Sequence, residues 1–452
     1  VTSARDPAES GPPASDVSAT VGLVGLATLL SWILFARSWP DIAAAFGYME
    51  TRGRLSGPNS ALLAMILAGL AMAAWSVLVE KVHRNPSTGL DWNRRAPLSD
   101  TLGISTTKIA GLWATWAAIG AFYAIARWYW DGPYLFAMQV IGAAAVPLFV
   151  LSVPYVVWID RVMREPRDAA WHFGAMLLGR GGWDGARVKK HWRAWAIKGF
   201  FTAFMVSILP PGFATVVEAD LVSIAGDPVR VGGTLFALLF VIDVQIGTVG
   251  YLLTMRPLDA HIRSGNPFLG GWLAALMCYP PFVYGLMGQG GAIQYEYNTA
   301  DWAYWLGGHT ALLWLWAALL AGLTAIYAWA TVAFGIRFSN LTYRGVVTNG
   351  PYRYSRHPAY LSKNLFWWLS AMPFLVTSGS VTDAVRNTVF LALVSGIYYW
   401  RARTEEAHLL FEDGKYRAYY DWMQENGVVT ARLARLFSRA APRRAWQTEP
   451  AE

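Results

Sequence analysis

Long apolar runs, separated by short polar connections, recur along almost the whole chain. Runs near the ~20 residues needed to cross a ~30 Å hydrocarbon layer fall at 19–36, 60–79, 109–126 and 133–158. A polar stretch from Asp160 to Arg193 interrupts the series, which resumes at 199–217, 231–254, 268–287 and 310–335. Two further segments, 359–376 and 387–400, are spaced to fold back on each other as a helical hairpin. The pattern predicts an all-α, polytopic transmembrane bundle of about ten spans. Residues 1–18 (VTSARDPAESGPPASDVS) carry no periodicity and predict a disordered polar tail without the basic start of a signal peptide. Residues 19–308 form an N-terminal transmembrane bundle, 309–425 a separate C-terminal region, and 426–452 a basic tail.

Composition agrees with this class. Of 452 residues, 55% are hydrophobic and 15% charged, too apolar a balance for an ordinary soluble domain. The 24 Trp and 21 Tyr gather near the run ends, where amphipathic rings sit at headgroup level. Cys278 is the lone cysteine, so intramolecular disulfides and CxxC metal or redox sites are excluded, and no metal site is expected.

The net charge of +8 reads first as topology. Connections at 80–108, 160–198 and 336–363 are basic, whereas 218–230 (Glu218, Asp220, Asp227) and 288–308 (Glu296, Asp301) are net acidic. Ten spans with both termini in the cytoplasm satisfy that alternation, apart from the first outer loop with Arg37, Arg52 and Arg54. A multi-pass protein of a bacterial inner membrane is expected, with residues 350–420 on the cytoplasmic side.

Several features outside that stretch have simple readings. VKKHWRAWAIKGF (188–200) suits anionic headgroups better than a nucleic acid, and no nucleic-acid partner is expected. Asp243, in the middle of a span, must face the bundle interior or a wet cavity; a packing hydrogen bond and a substrate contact both suit it. The glycine clusters GRGGWDG (179–185) and GQGGAI (288–293) lack the spacing of a dinucleotide-binding turn.

Residues 350–420 differ in kind. Gly350 and Pro351 break the chain, and Pro358 suits the first turn of a helix. Arg353, Arg356, His357, Tyr352 and Tyr354 crowd the connection, which as a bare minimum is a positive-inside anchor. After the hairpin, YYWRARTEEAHLLF has no breaker until Gly414, so a helix runs on beyond the bilayer. On it Arg401, Glu405 and His408 share one face, with Glu406 beside them. Arg401 with Glu405 can be a surface ion pair alone, but adjacent carboxylates at a helix exit are harder to explain as packing.

GPYRYSRHPAYL, followed after a hairpin by an arginine four residues before a double glutamate, resembles the isoprenylcysteine carboxyl methyltransferase family and, more broadly, membrane phospholipid N-methyltransferases. Arg356, His357, Pro358 and Tyr360 match the RHPxY element; Arg401, Glu405, Glu406 and Leu409 match RxxxEExxL; Tyr416 and Tyr419 match a closing Tyr-x-x-Tyr. The resemblance covers about 320–425, with Asp413 and Gly414 in place of the usual FG. It implies S-adenosylmethionine as cofactor, held by Tyr352, Arg356, His357, Tyr360, Glu405 and Glu406. Arg401, Glu405 and His408 are then the catalytic candidates: Arg401 orients an anionic acceptor, and Glu405 or His408 takes a proton from an amine or thiol acceptor. The expected partners are membrane lipids and a hydrophobic, lipid-like acceptor. A nicotinamide-dependent reductase similar to the membrane sterol reductases, and a non-catalytic transporter or lipid-binding protein, are the alternatives.

Overall fold

The computed structural model describes residues 11–48, 53–288, 290–428 and 431–432. The expected 426–452 tail lies outside them except for 426–428 and 431–432, as do residues 1–10 of the expected N-terminal tail. The described chain is almost wholly helical: α1 Ala19–Ala45, α2 Pro58–Leu78, α3 Leu98–Ile125, α4 Pro133–Asp160, α5 Ala169–Leu177, α6 Gly185–Ser207, α7 Leu209–Glu218, α8 Leu221–Ile224, α9 Pro228–Leu252, α10 Leu269–Leu276, α11 Phe282–Leu286, α12 Trp302–Trp305, α13 Thr310–Phe334, α14 Pro358–Ala371, α15 Val381–Glu412 and α16 Gly414–Asn426. Strands β1 (Ser264–Gly265) and β2 (Thr342–Tyr343) pair antiparallel.

Among the described residues, seven helices are long and apolar enough to cross a membrane: α1, α2, α3, α4, the α6–α7 pair, α9 and α13. The other three of the about ten expected spans, 268–287, 359–376 and 387–400, lie outside these seven helices, each for a local cause. Over 268–287, Pro280 and Pro281 fall inside the apolar run, and a ring without an N–H cannot continue the helical ladder. The segment therefore breaks into α10 and α11. α14 stops after 14 residues, about 21 Å, because Met372 turns left-handed and Pro373 follows. The apolar 387–400 segment sits inside the 32-residue α15, whose flanks carry the charges Asp383, Arg386, Arg401, Arg403, Glu405, Glu406 and Glu412.

The three irregular segments nevertheless run between the two ends of the bundle. Before α10, β1 is clipped to β2 in the loop after α13. After α11, the Tyr297 carbonyl accepts from Asn387 and the Asn298 side chain donates to Asp383, both at the start of α15. The chain thus passes from one end to the other with a non-helical break around Tyr279.

Polar caps set several helix starts: Asp168 for α5, Asp184 for α6, Asp227 for α9 and Asp413 for α16 accept from first-turn N–H groups. α3 begins about ten residues before the expected span. Lys108, expected in a basic connection, is therefore buried inside it and bonded to Asp160. The 188–200 segment likewise lies within α6, with His191 buried against Thr115.

Two packing arrangements fix the loop that leads to the C-terminal region. A Cβ on Gly250 would lie 2.3 Å from the Phe338 carbonyl oxygen, so only glycine lets this loop sit directly on α9. Buried Arg344 donates to the carbonyls of Gly250, Leu253, Ala260, Ile336 and Phe338, closing the end of α9 and the turn after α13 with one side chain. Residues 13–17 do not form the free tail their composition predicts. Thr348 donates to the Pro13 carbonyl, Asn349 to the Val17 carbonyl, and Asp16 accepts from the Val346 N–H and pairs with Lys415 of α16.

Candidate functional site

Both polar clusters of the sequence meet where α14 begins and α15 leaves the apolar bundle. Pro358 opens α14, so the residues just before it hold extended or irregular backbone and direct their side chains at α15. Glu406, 3% exposed, takes three donors: Arg356 Nε at 2.7 Å, His357 Nε2 at 3.0 Å and Arg403 Nη1 at 2.6 Å. Burial opposes its ionisation, yet His357 and Arg356 outweigh that and hold the carboxyl down to about 2. Glu406 is thus a clamp between the RHP element and α15.

Glu405 points the other way. Its carboxylate accepts from the Tyr360 hydroxyl and from Arg401 Nε at 3.2 Å, and it lines a cavity of about 160 Å³ with an open mouth. Arg401 is buried and already engaged: Nη2 donates to Asn340 Oδ1 at 2.5 Å and to the Tyr279 hydroxyl at 3.3 Å, and the guanidinium lies over the Tyr279 and Tyr360 rings. Asn340 is held in turn by the Tyr251 hydroxyl, which accepts from its side chain at 2.7 Å. The break between α10 and α11 therefore delivers Tyr279 to the arginine.

His408 lines the same cavity, with Nε2 at 2.9 Å from Ser264 Oγ of β1. Burial, assisted by Arg193, pushes its imidazole down to about 4, so it is neutral at pH 7. Tyr352 packs its ring edge-on to Phe334, and its carbonyl accepts from the Tyr419 hydroxyl at 2.6 Å. Tyr416 and Tyr419 are buried on α16 and line the cavity together with Tyr352.

The structure thus brings Tyr352, Arg356, His357, Tyr360, Arg401, Glu405 and His408 to one cavity. Glu406 lies behind it, and Arg353 is exposed away from it. Sequence reasoning missed Tyr279, Tyr327, Asn340, Lys363 and Tyr398, which also line it. Lys363 was visible as a charge inside an apolar helix; the others carry no local signal. Asp243 does not line the cavity, but Thr331, which does, donates to it. That bond supports the packing reading of Asp243.

Residues 312–411 match the isoprenylcysteine carboxyl methyltransferase family. The match spans the start of α13 to the end of α15, so it contains the RHP element, the hairpin and the double glutamate. It leaves out Tyr416 and Tyr419 and all of α1–α12. Comparison with curated proteins and with solved structures gave no match. The C-terminal region is accordingly methyltransferase-like, set in a multi-pass membrane chain.

The cavity's donor and acceptor set suits S-adenosylmethionine. Arg356, 8% exposed at its side chain, keeps Nη1 buried with no hydrogen-bond partner among the described residues, a donor ready for a carboxylate. Glu405 offers a carboxylate for an ammonium or ribose hydroxyls, and Tyr352, Tyr416 and Tyr419 supply aromatic walls. Among the described residues there is no cluster of His, Cys, Asp and Glu able to hold a metal ion.

Proposed function

We propose that the protein is an integral-membrane, S-adenosylmethionine-dependent methyltransferase that acts at the cytoplasmic face on a lipid-like or small hydrophobic acceptor, with O-methylation of a carboxylate favoured. The observation that carries this reading is the convergence of both family elements on one cavity through the Tyr360–Glu405–Arg401 contacts. The basic loops at the cavity end support a cytoplasmic orientation, where a soluble cofactor is at hand.

When bound, S-adenosylmethionine supplies an electrophilic methyl group on a sulfonium. The chain's work is then alignment and exclusion of water. Glu405 and the free Nη1 of Arg356 hold opposite charges at the cavity wall, while Glu406 fixes Arg356 and His357 from behind as a positioning residue. Arg401, anchored by Asn340 and Tyr279, keeps Glu405 oriented. A carboxylate acceptor arrives with its own negative charge, so no proton has to move; neutral His408 then positions β1 through Ser264. Exposed apolar side chains on α13–α15, such as Leu315, Leu365 and Leu393, leave a lipid chain room to approach from the side.

The direct test supplies S-adenosylmethionine with a labelled methyl group to the purified protein in membranes of its own source and maps the label by mass spectrometry. The reading expects label in a lipid-like product, released as methanol by mild base, as an ester requires. Binding of NADPH with no binding of S-adenosylmethionine would replace it with the reductase reading.

A further inference from the structure

The loop that leads into the RHP element owes its shape to residues from the opposite end of the chain. Asp16 takes both backbone groups of Val346: its N–H donates to the Val346 carbonyl at 2.8 Å, and its carboxylate Oδ2 accepts from the Val346 N–H at 2.8 Å. Ser15 Oγ accepts from the Thr348 N–H at 3.3 Å. The Pro13 and Val17 carbonyls accept from the side chains of Thr348 and Asn349, each at 2.7 Å. Val17 is buried against Ala333 and Val347, with Phe334 and Tyr352 packed beside them. Val346 and Thr348 are buried too, so their polar backbone groups need partners, and a separate segment provides them.

The second carboxylate oxygen of Asp16, Oδ1, accepts from Lys415 in the first turn of α16. Lys415 directly precedes Tyr416, and Tyr416 and Tyr419 pack with Val346 and Tyr343 in one buried cluster. Gly345, Val346 and Val347 on one side and Tyr416 and Tyr419 on the other all line the cavity. One side chain thus bridges two of its walls, which are far apart in sequence. The fit is close: a Cβ on Gly345 would lie 2.6 Å from Arg337 Nη1 and 3.1 Å from the Asp16 Cβ. The family match over 312–411 contains the loop but neither end of the bridge, since residues 13–17 precede it and α16 follows it. Walls joined in advance lose less freedom when a ligand settles between them, and the gain shows mainly in the rate of release.

We propose that Asp16 is a positioning residue of the methyl-donor compartment: by holding Val346 with its backbone and one carboxylate oxygen, and Lys415 with the other, it locks the 345–349 loop to α16 and sets how long a bound donor is retained. The role toward the donor rests on the methyltransferase reading, whereas the lock between loop and helix needs no cofactor.

The experiment uses the full-length protein in nanodiscs, as wild type, Asp16→Ala, Asp16→Asn and Asp16→Glu. Hydrogen–deuterium exchange without cofactor is followed first. Asp16→Ala is expected to speed exchange in 345–349 and in α16 by roughly five- to tenfold and to leave α9 and α13 unchanged. Labelled S-adenosylmethionine is then bound and chased with unlabelled compound. Its release is expected to be roughly five- to tenfold faster in Asp16→Ala, about threefold faster in Asp16→Asn, which still accepts from Val346 but loses the charge facing Lys415, and close to wild type in Asp16→Glu. Unfolding midpoints should stay nearly constant, which separates positioning from a general loss of stability. Unchanged exchange of both segments in Asp16→Ala overturns the proposal, and so does unchanged release from a wild type that binds the donor. If Asp16→Ala does not fold, Lys415→Gln decides by the same two readouts, with faster exchange of α16 and faster release expected. Faster exchange in Asp16→Ala, together with no binding of S-adenosylmethionine by the wild type, sinks the methyltransferase reading and leaves the lock standing.

Discussion

Two buried ionic clusters in this molecule look alike in composition and differ in what they leave over. Between α3, α4 and α5, Lys108 sits 2.5 Å from Asp160 and 3.3 Å from Asp168, and Ser105 donates to Asp160 at 2.8 Å. Asp168 also caps α5. Every charge there has a partner in the chain. Around α14 and α15, Arg356, Arg401, Arg403, His357, Glu405 and Glu406 are as densely paired, but among the described residues Arg356 Nη1 and the Lys363 ammonium have no hydrogen-bond partner, and both residues line a cavity. The first cluster is finished by folding. The second leaves donors over beside a cavity, and that remainder is what the proposed site uses.

The comparison can be broken most severely at Lys108. Lys108→Met leaves Asp160 buried without its cation and is expected to cost about 3–5 kcal/mol of stability, with the folded fraction still binding S-adenosylmethionine at wild-type affinity. Loss of that binding at unchanged stability would erase the distinction. Glu406→Gln should behave as a hybrid: about 3 kcal/mol lost in unfolding, because two cationic partners lose their anion, and weakened cofactor binding through Arg356. Glu405→Gln, by contrast, should cut S-adenosylmethionine affinity by roughly 10- to 100-fold with a nearly unchanged unfolding midpoint.

Acid sharpens the contrast further. His408 is held down to about 4 against an ordinary 6.5, so the unfolded chain takes up a proton first and stability falls as pH drops through that interval. Glu406 is held at about 2 against 4.5, so its clamp contributes fully above pH 4.5 and is lost as pH falls towards 2. Unfolding midpoints measured across pH should show both slopes, and His408→Gln should reduce the upper one and leave the lower one unchanged. The smallest effect is expected at the strap from the N-terminus. Lys415→Ala removes a partly exposed pair with Asp16 and should cost less than about 1 kcal/mol, with faster proteolysis near residue 16 as its readout.

The class of fold was legible because apolar runs of span length do not depend on tertiary context. The breaks were less so. Pro280 and Pro281 stood in plain view inside 268–287, but an apolar run long enough to span outweighed two local breakers. Lys108 looked like a loop charge because its partner Asp160 lies on another helix, and partners remote in sequence leave no periodic trace. For the site, Arg356, His357, Tyr360, Arg401 and Glu405 stood out through motif spacing. The two glutamates looked interchangeable, yet one helix step of about 100° turns Glu405 to the cavity and Glu406 to the clamp. Tyr279 and Asn340 come from a helix break and a loop that only packing brings to Arg401. Residues 13–17 read as a polar tail because their partners, Val346 to Asn349, are more than 300 residues away in the chain.

The central claim is that the cavity bounded by Glu405 and Arg356 binds the methyl donor. Equilibrium binding of S-adenosylmethionine to the purified protein in nanodiscs, compared across wild type, Glu405→Gln and Lys108→Met at a temperature where all three are folded, tests it most directly. The account predicts saturable binding by wild type and Lys108→Met and a loss of roughly tenfold or more in Glu405→Gln. No binding by the wild type, or equal binding by Glu405→Gln, would contradict it.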